Sequence, residues 1–305
     1  MSSSEGSRRA ILAAFAANLG IAVAKFAAFF VTGAASMLAE SIHSVADTGN
    51  QGLLMLGGKN ATREPDAQHP FGHARERYFW SFVVALVIFT LGGAFALYEG
   101  IHKLMEGRHE LEAFWVGVGV LCVAIVLESL SLRTAVRETR HIKPKDQPYS
   151  AFIRHTKSAE LPVVLLEDVG ALMGLVFALV GVTLAHVLHD SRYDAMGSIA
   201  IGVLLIVIAV VLAVQMKSLL IGESADLATQ RALDEAILAT PEIRSIIHMR
   251  TLQMGPEDIL VAAKVEMASS IGYPDMAAAI DAAEVRMRAA VPDARVIYLE
   301  PDVRR

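Results

Sequence analysis

The sequence predicts an all-α six-helix transmembrane bundle followed by a small α+β domain. Three observations carry that expectation. The 305 residues are 54% hydrophobic and 19% charged, too apolar for a typical soluble domain of this size. Apolar runs of about 20 residues, the length that crosses about 30 Å of hydrocarbon, recur along the first two thirds of the chain. From Gly222 onward the pattern turns to short amphipathic and alternating segments.

Residues 1–9 are polar and read as a cytoplasmic N-terminal segment leading into a retained span rather than a cleaved signal. The membrane domain is expected over 10–221, with spans at 10–31, 36–58, 79–103, 112–133, 162–188 and 196–218. Thr32-Gly33-Ala34-Ala35 is a tight turn that forces the first two into an antiparallel hairpin. The next connection, 59–77, is polar and carries Pro65, Pro70 and Gly72, so it is a wide loop. Basic residues orient the bundle: Lys59, Arg63, Arg75, Arg77 and the loop 133–157 share one side, against Lys103, Arg108 and Arg192 on the other. Both termini are therefore expected in the cytoplasm, and the short polar start and compact loops favour a prokaryotic inner membrane. The basic loop suits anionic lipid headgroups.

Residues 222–305 read α-β-β-α-β, with helices at 226–239 and 274–290 and strands at 245–253, 259–267 and 294–299. Met254-Gly255-Pro256-Glu257-Asp258 joins the first two strands as a hairpin with a bulge or wide turn. About 80 residues make a small core, so the domain is expected to pack against a second copy, giving a homodimer. The single cysteine, Cys122, excludes a disulfide framework and a thiolate metal cluster. Neither an activated nucleophile nor a phosphate-cradling loop is visible. The chain is therefore read as a non-enzyme with no organic cofactor and no nucleic-acid partner.

Ionisable residues inside the apolar runs point to chemistry, because a charge in hydrocarbon costs several kcal/mol unless it faces a cavity, a partner or an ion. His43 and Asp47, four apart on a helix, present an imidazole and a carboxylate on one face. Glu40 and Asn50 extend that stripe as access or relay groups, with Glu160 on the cytosolic approach. Asp168 of the fifth span completes a mixed nitrogen and oxygen set, and Glu167 is a possible further contributor. Zinc accepts such ligands, and manganese, iron, cobalt or nickel use related sets richer in oxygen. The bland alternative is a buried polar contact that fixes helix register. Asp66, His69 and His73 in the loop make a second candidate metal site, against the alternative of a polar latch. Lys25 reads as a snorkelling or buried partner residue.

These motifs make the chain resemble the cation diffusion facilitator family, the solute carrier 30 zinc-transporter type. The resemblance rests on Ser36-Met-Leu-Ala-Glu40-Ser-Ile-His43-Ser-Val-Ala-Asp47, on Asp66-Ala-Gln-His69-Pro-Phe-Gly-His73, and on Asp194-Ala-Met-Gly-Ser-Ile-Ala-Ile-Gly202. It implies a ferredoxin-like, metallochaperone-like cytoplasmic tail. It also implies a transport metal site of His43, Asp47 and Asp168, and a loop metal site of Asp66, His69 and His73. Family members usually carry His or Asp where this chain has Val164; Leu-Leu-Glu167-Asp168 resembles a divergent branch that includes mitochondrial-type zinc-transporter relatives. In the tail, His248 beside Lys264 makes no binuclear site, so apolar packing is expected to hold the dimer.

The expected function is export of a divalent cation, zinc first and manganese or iron next, in exchange for protons. The coupling is chemical: neutral imidazole and ionised carboxylate bind metal, so protons and metal compete. A dimeric membrane sensor or scaffold that has lost turnover is the alternative.

Overall fold

The computed structural model of the protein describes residues 19–106, 113–143, 148–158, 160–268 and 271–303. The expected N-terminal segment 1–9 and the first part of the span expected at 10–31 lie outside the described residues. Two compact units result. One holds the helices up to Lys59 and over Phe79–Met216; the other holds Asn60–Tyr78 together with Lys217–Arg305.

The helical unit contains α1 (Leu19–Thr32), α2 (Ala35–Ala61), α3 (Glu76–Glu106), α4 (Phe114–Ile142), a short α5 (Tyr149–His155), α6 (Glu160–Leu188) and α7 (Arg192–Ile221). Among the described residues, Glu76–Glu106, Phe114–Arg137, Glu160–Leu188 and Arg192–Ile221 are long and apolar enough to cross a membrane. At 27 residues α2 is long enough as well, but its buried polar stripe dilutes its apolarity. Gly33, at φ 65°, closes the α1–α2 turn with its N–H donating to Phe29 O at 2.8 Å, a left-handed cap that favours glycine.

The first two N–H groups of α2 are capped from far along the chain. Ala35 N–H donates to Asp194 Oδ2 at 2.6 Å and Ser36 N–H to Oδ1 at 3.2 Å, and the Ser36 hydroxyl donates to the same carboxylate. A buried carboxylate thus satisfies donors that a helix start leaves open. Gly93 of α3 and Gly202 of α7 let those helices approach backbone to backbone: a Cβ on Gly202 would stand 2.8 Å from Gly93 O. Met37, Val84, Leu121, Leu175, Leu205 and Leu212 fill the core between the helices.

Two features differ from the sequence reading. Val84–Phe89 inside α3 is a π-helical turn, an extra residue per turn that hydrophobic periodicity does not reveal. The helix α4 runs past the expected end at 133 and stops at Ile142. Arg133, Arg137 and Arg140 are good helix formers, and the next residue, Lys143, takes extended backbone (φ −70°, ψ 129°), as a residue before proline does.

The second unit carries α8 (Leu227–Leu238), β1 (Ile243–Gly255), β2 (Asp258–Met267), α9 (Tyr273–Ala290) and β3 (Val296–Asp302). Asp226 caps α8 by accepting from Ala228 and Thr229 N–H groups, both at 2.9 Å. β1 and β2 pair antiparallel with a register shift between Gln253 and Gly255, and β2 pairs parallel with β3 after the α9 crossover. On β2, Ile259, Val261, Ala263, Val265 and Met267 alternate into the core, against Leu233, Ile237 and Met287. The chain is thus a helical membrane region followed by a small α+β domain.

Candidate metal centre

Helical periodicity puts Glu40, His43, Asp47 and Asn50 on one face of α2, and all four are buried. His43 Nδ1 lies 3.5 Å from Asp47 Oδ1. From α6, Glu167 and Asp168 are also buried, at 6% and 8% exposure. Asp47, Glu167 and Asp168 line a cavity of about 40 Å³ together with Ser44, Glu128 and Ser131. A single water needs about 10–15 Å³ of such space, so the cavity has room for an ion together with part of its hydration.

Several of these buried polar residues are held by neighbours. Ser131 of α4 donates its hydroxyl to Asp168 Oδ1 at 3.1 Å, while Asp168 Oδ2 is buried with no hydrogen-bond partner among the described residues. Asn50 Nδ2 donates to Glu167 Oε2, which ties Glu167 to α2. Lys25 of α1, fully buried, donates to Glu40 Oε2 at 3.0 Å and to Ser44 Oγ at 2.8 Å. Glu40 therefore sits in an ion pair away from the cavity wall, and Gly174 leaves the space for its other oxygen. His43 touches Asp47 but is not among the lining residues, and neither is Glu160, half-buried at the start of α6. Val164, one turn before Asp168, is 40% exposed and also off the cavity wall.

The loop trio converges more tightly. Asp66 Oδ1 accepts from the N–H groups of His69 at 2.7 Å and Gln68 at 2.8 Å, a side-chain turn that starts the loop. Gly72, at φ 84°, then folds the chain so that His73 Nε2 comes 3.2 Å from Asp66 Oδ2, with His69 Nδ1 3.3 Å from Oδ1. One ligand atom from each of Asp66, His69 and His73 lies within 4.8 Å of the others. Among the described residues no other three His, Cys, Asp or Glu side chains meet so closely. Zinc bonds of about 2.0–2.1 Å place tetrahedral ligands about 3.4 Å apart, so a small closure would complete a two-nitrogen, one-oxygen set. Hydrogen bonds from His69 N–H first, then Gln68 N–H and the two imidazoles, hold the Asp66 carboxyl down at about 2. It is thus ionised, and ready for a cation, throughout the physiological range.

Comparison with known proteins bears on this arrangement. The family description "Cation efflux transmembrane domain" matches residues 11–221. The chain belongs to the cation efflux family. The mouse (Mus musculus) protein named "Proton-coupled zinc antiporter SLC30A9, mitochondrial" is 30% identical over 243 residues, which are 79% of this chain and 43% of the mouse protein. The chain therefore spans less than half the length of that relative. Magnetosome protein MamB of Paramagnetospirillum magneticum is 22% identical over 286 residues, 94% of this chain and 90% of MamB. A solved MamM-CTD structure overlaps 26% of this chain and 93% of its own, at 20% identity and a TM-score of 0.24.

In this cation efflux protein, three features escaped the sequence reading. Glu128 and Ser131 bring α4 to the cavity, and the signal was present: Glu128 is an acid inside an apolar run, as Glu167 is. Asp194 acts as the cap of α2, and Lys25 pairs with Glu40; nothing in the local sequence names either partner. His248, exposed on β1, stands opposite Lys264, whose ammonium is 2.9 Å from Glu300 and 3.0 Å from Asp302.

Proposed function

We propose that the protein exports a divalent metal cation, zinc first, from the cytosol in exchange for protons, by alternating access. The observation that carries this reading is the small cavity between α2, α4 and α6, walled by carboxylates in otherwise apolar helices, with one buried Asp168 oxygen lacking a partner among the described residues. Carboxylates packed around so small a space repel one another, and a divalent cation or protons relieve that repulsion. Asp47 and Asp168 replace the ion's lost water oxygens and Glu167 is a further oxygen, while His43, 3.5 Å from Asp47 but off the cavity wall, reaches the ion as a nitrogen donor only when its imidazole turns inward. Ligands must be deprotonated to bind, so arrival of protons expels metal and arrival of metal expels protons. The mouse relative's printed name, a proton-coupled zinc antiporter, supports both halves of the exchange.

Manganese or iron export by the same cycle is the alternative, favoured by the oxygen-rich wall. The protein works as a homodimer in this reading, through the tail domain spanning 222–305, in a prokaryotic inner membrane. Asymmetry of basic residues supports cytoplasmic termini. A dimeric membrane sensor without turnover is the second reading, favoured by the loop trio, whose ligand atoms converge more closely than the membrane set. The loop trio would hold a metal that stiffens the 60–78 segment.

Purified protein in liposomes, with metal-sensitive and pH-sensitive dyes inside, tests the proposal. Metal and protons should move in opposite directions, and Asp47→Ala or Asp168→Ala should abolish both fluxes without loss of assembly. Unaltered fluxes in those variants would overturn the site. Metal binding without any flux in the parent protein would establish the sensor instead.

A further inference from the structure

We propose that Glu128 of α4 is a direct oxygen ligand of the transported ion and biases the cavity toward oxygen-preferring divalent cations. This rests on the cavity being the transport site. Glu128 is half-buried and lines the same cavity of about 40 Å³ as Asp47, Glu167 and Asp168. Three positions further along α4, on the same helix face, Ser131 donates to Asp168 at 3.1 Å. That bond fixes the rotation of α4 relative to α6, so the Glu128 side chain is held at the cavity by a contact independent of its own charge. The second, unpartnered oxygen of Asp168, a residue more than nine-tenths buried, marks where a cation is wanted.

The donor count gives Glu128 its role. Val164, one turn before Asp168, carries no donor atom, and His43 stands off the wall. The wall therefore offers carboxylate and hydroxyl oxygens, from Asp47, Glu128, Glu167, Asp168, Ser44 and Ser131. Zinc is satisfied by four ligands and takes nitrogen readily; manganese takes more oxygens around a larger coordination shell. A carboxylate from a third helix adds the kind of ligand that manganese gains from more than zinc does. It also spans α2, α4 and α6, so an ion held by Glu128 adds to the hydrogen bonds Asn50–Glu167 and Ser131–Asp168 in tying these helices together at this level.

The test compares Glu128→Gln and Glu128→Asp with the parent, full-length, in detergent for binding and in liposomes for flux. All these proteins, the parent included, also carry Asp66→Ala to silence the loop trio, and zinc and manganese are titrated separately, read by calorimetry and by metal-dependent thermal stabilisation. Glu128→Gln should weaken manganese binding at least tenfold and zinc binding no more than about threefold, with Glu128→Asp intermediate. Competition flux should shift toward zinc by the same ratio. Asp168→Ala serves as the separate control for the site itself. If Asp168→Ala abolishes binding while Glu128→Gln changes neither affinity nor ratio, the Glu128 proposal fails and the transport site stands. If Asp168→Ala leaves binding intact, both fail. Should Glu128→Gln not assemble, the Glu128→Asp ratio alone decides, and an unchanged ratio overturns the proposal.

Discussion

Lys25→Met removes an ammonium from the membrane unit while keeping the length of the side chain. In the folded protein Lys25 Nζ is 3.0 Å from Glu40 Oε2 and 2.8 Å from Ser44 Oγ, and neither Lys25 nor Glu40 exposes any surface. Among the described residues the second oxygen of Glu40 has no hydrogen-bond partner, so the lysine is the main compensation of that carboxylate there. Taking one member from a buried pair costs about 3–5 kcal/mol, whereas replacing both by apolar groups of similar volume is about neutral. The single variants Lys25→Met and Glu40→Met should each lose that amount, and the double variant should recover to within about 1 kcal/mol of the parent. Ser44 lines the cavity, so Lys25→Met should also loosen its wall and weaken metal binding. Denaturant unfolding in micelles, followed by the fluorescence of Trp80 and Trp115, measures all four proteins at one pH. Single variants that cost under about 1 kcal/mol, or a double variant as unstable as the sum of the singles, would refute the buried-pair argument.

Three further outcomes follow from the same structure. Asp194→Ala should destabilise the helical unit by about 2 kcal/mol or more, since it strips a charged cap from two N–H groups and the Ser36 hydroxyl of α2; Asp194→Asn should lose less. Gly202→Val should cost about 1–3 kcal/mol and lower the melting temperature, because its Cβ would press within 2.8 Å of Gly93 O, and size-exclusion profiles will show whether assembly survives. Asp66→Ala should weaken metal binding at the loop at least tenfold by calorimetry while leaving the membrane cavity's binding in place. The pH dependence at that loop has a definite sign. Asp66 is held at about 2, below its ordinary 3.8, so its contribution to the loop is full above about pH 4 and disappears as pH falls through 2. The metal-binding curve of the loop should therefore show no inflection from Asp66 above about pH 4, and a break near pH 4 would contradict the assignment.

Much of the architecture could be read before folding was considered. Apolar runs marked the spans, and Thr32-Gly33 marked the first turn because only a left-handed residue closes it so tightly. Alternation on β2 and the amphipathic run at 226–239 showed the tail, while the role of Asp226 as cap of α8 came from the structure. The polar stripe of α2 was legible because residues three and four apart share a helix face. The loop trio was legible as a motif, and its convergence depends on Gly72 and Pro70, which the sequence displays. Glu128 was overlooked although the rule that flagged Glu167 applies to it equally.

What the chain determines locally is the rhythm of apolar and polar residues, since each helix or strand responds to its own period. That rhythm established the helical membrane region and the α-β-β-α-β tail, while the cation efflux resemblance came from motifs such as Ser36–Asp47 and Asp66–His73. Which faces meet was decided only in three dimensions: Lys25 with Glu40, Asp194 with the start of α2, Ser131 with Asp168, and Glu128 at the cavity. These partners come from different helices, and their meeting depends on how each helix is rotated and slid against the next. Rotation and sliding come from close packing at Gly93, Gly202 and their neighbours, a property of paired surfaces that no single segment contains.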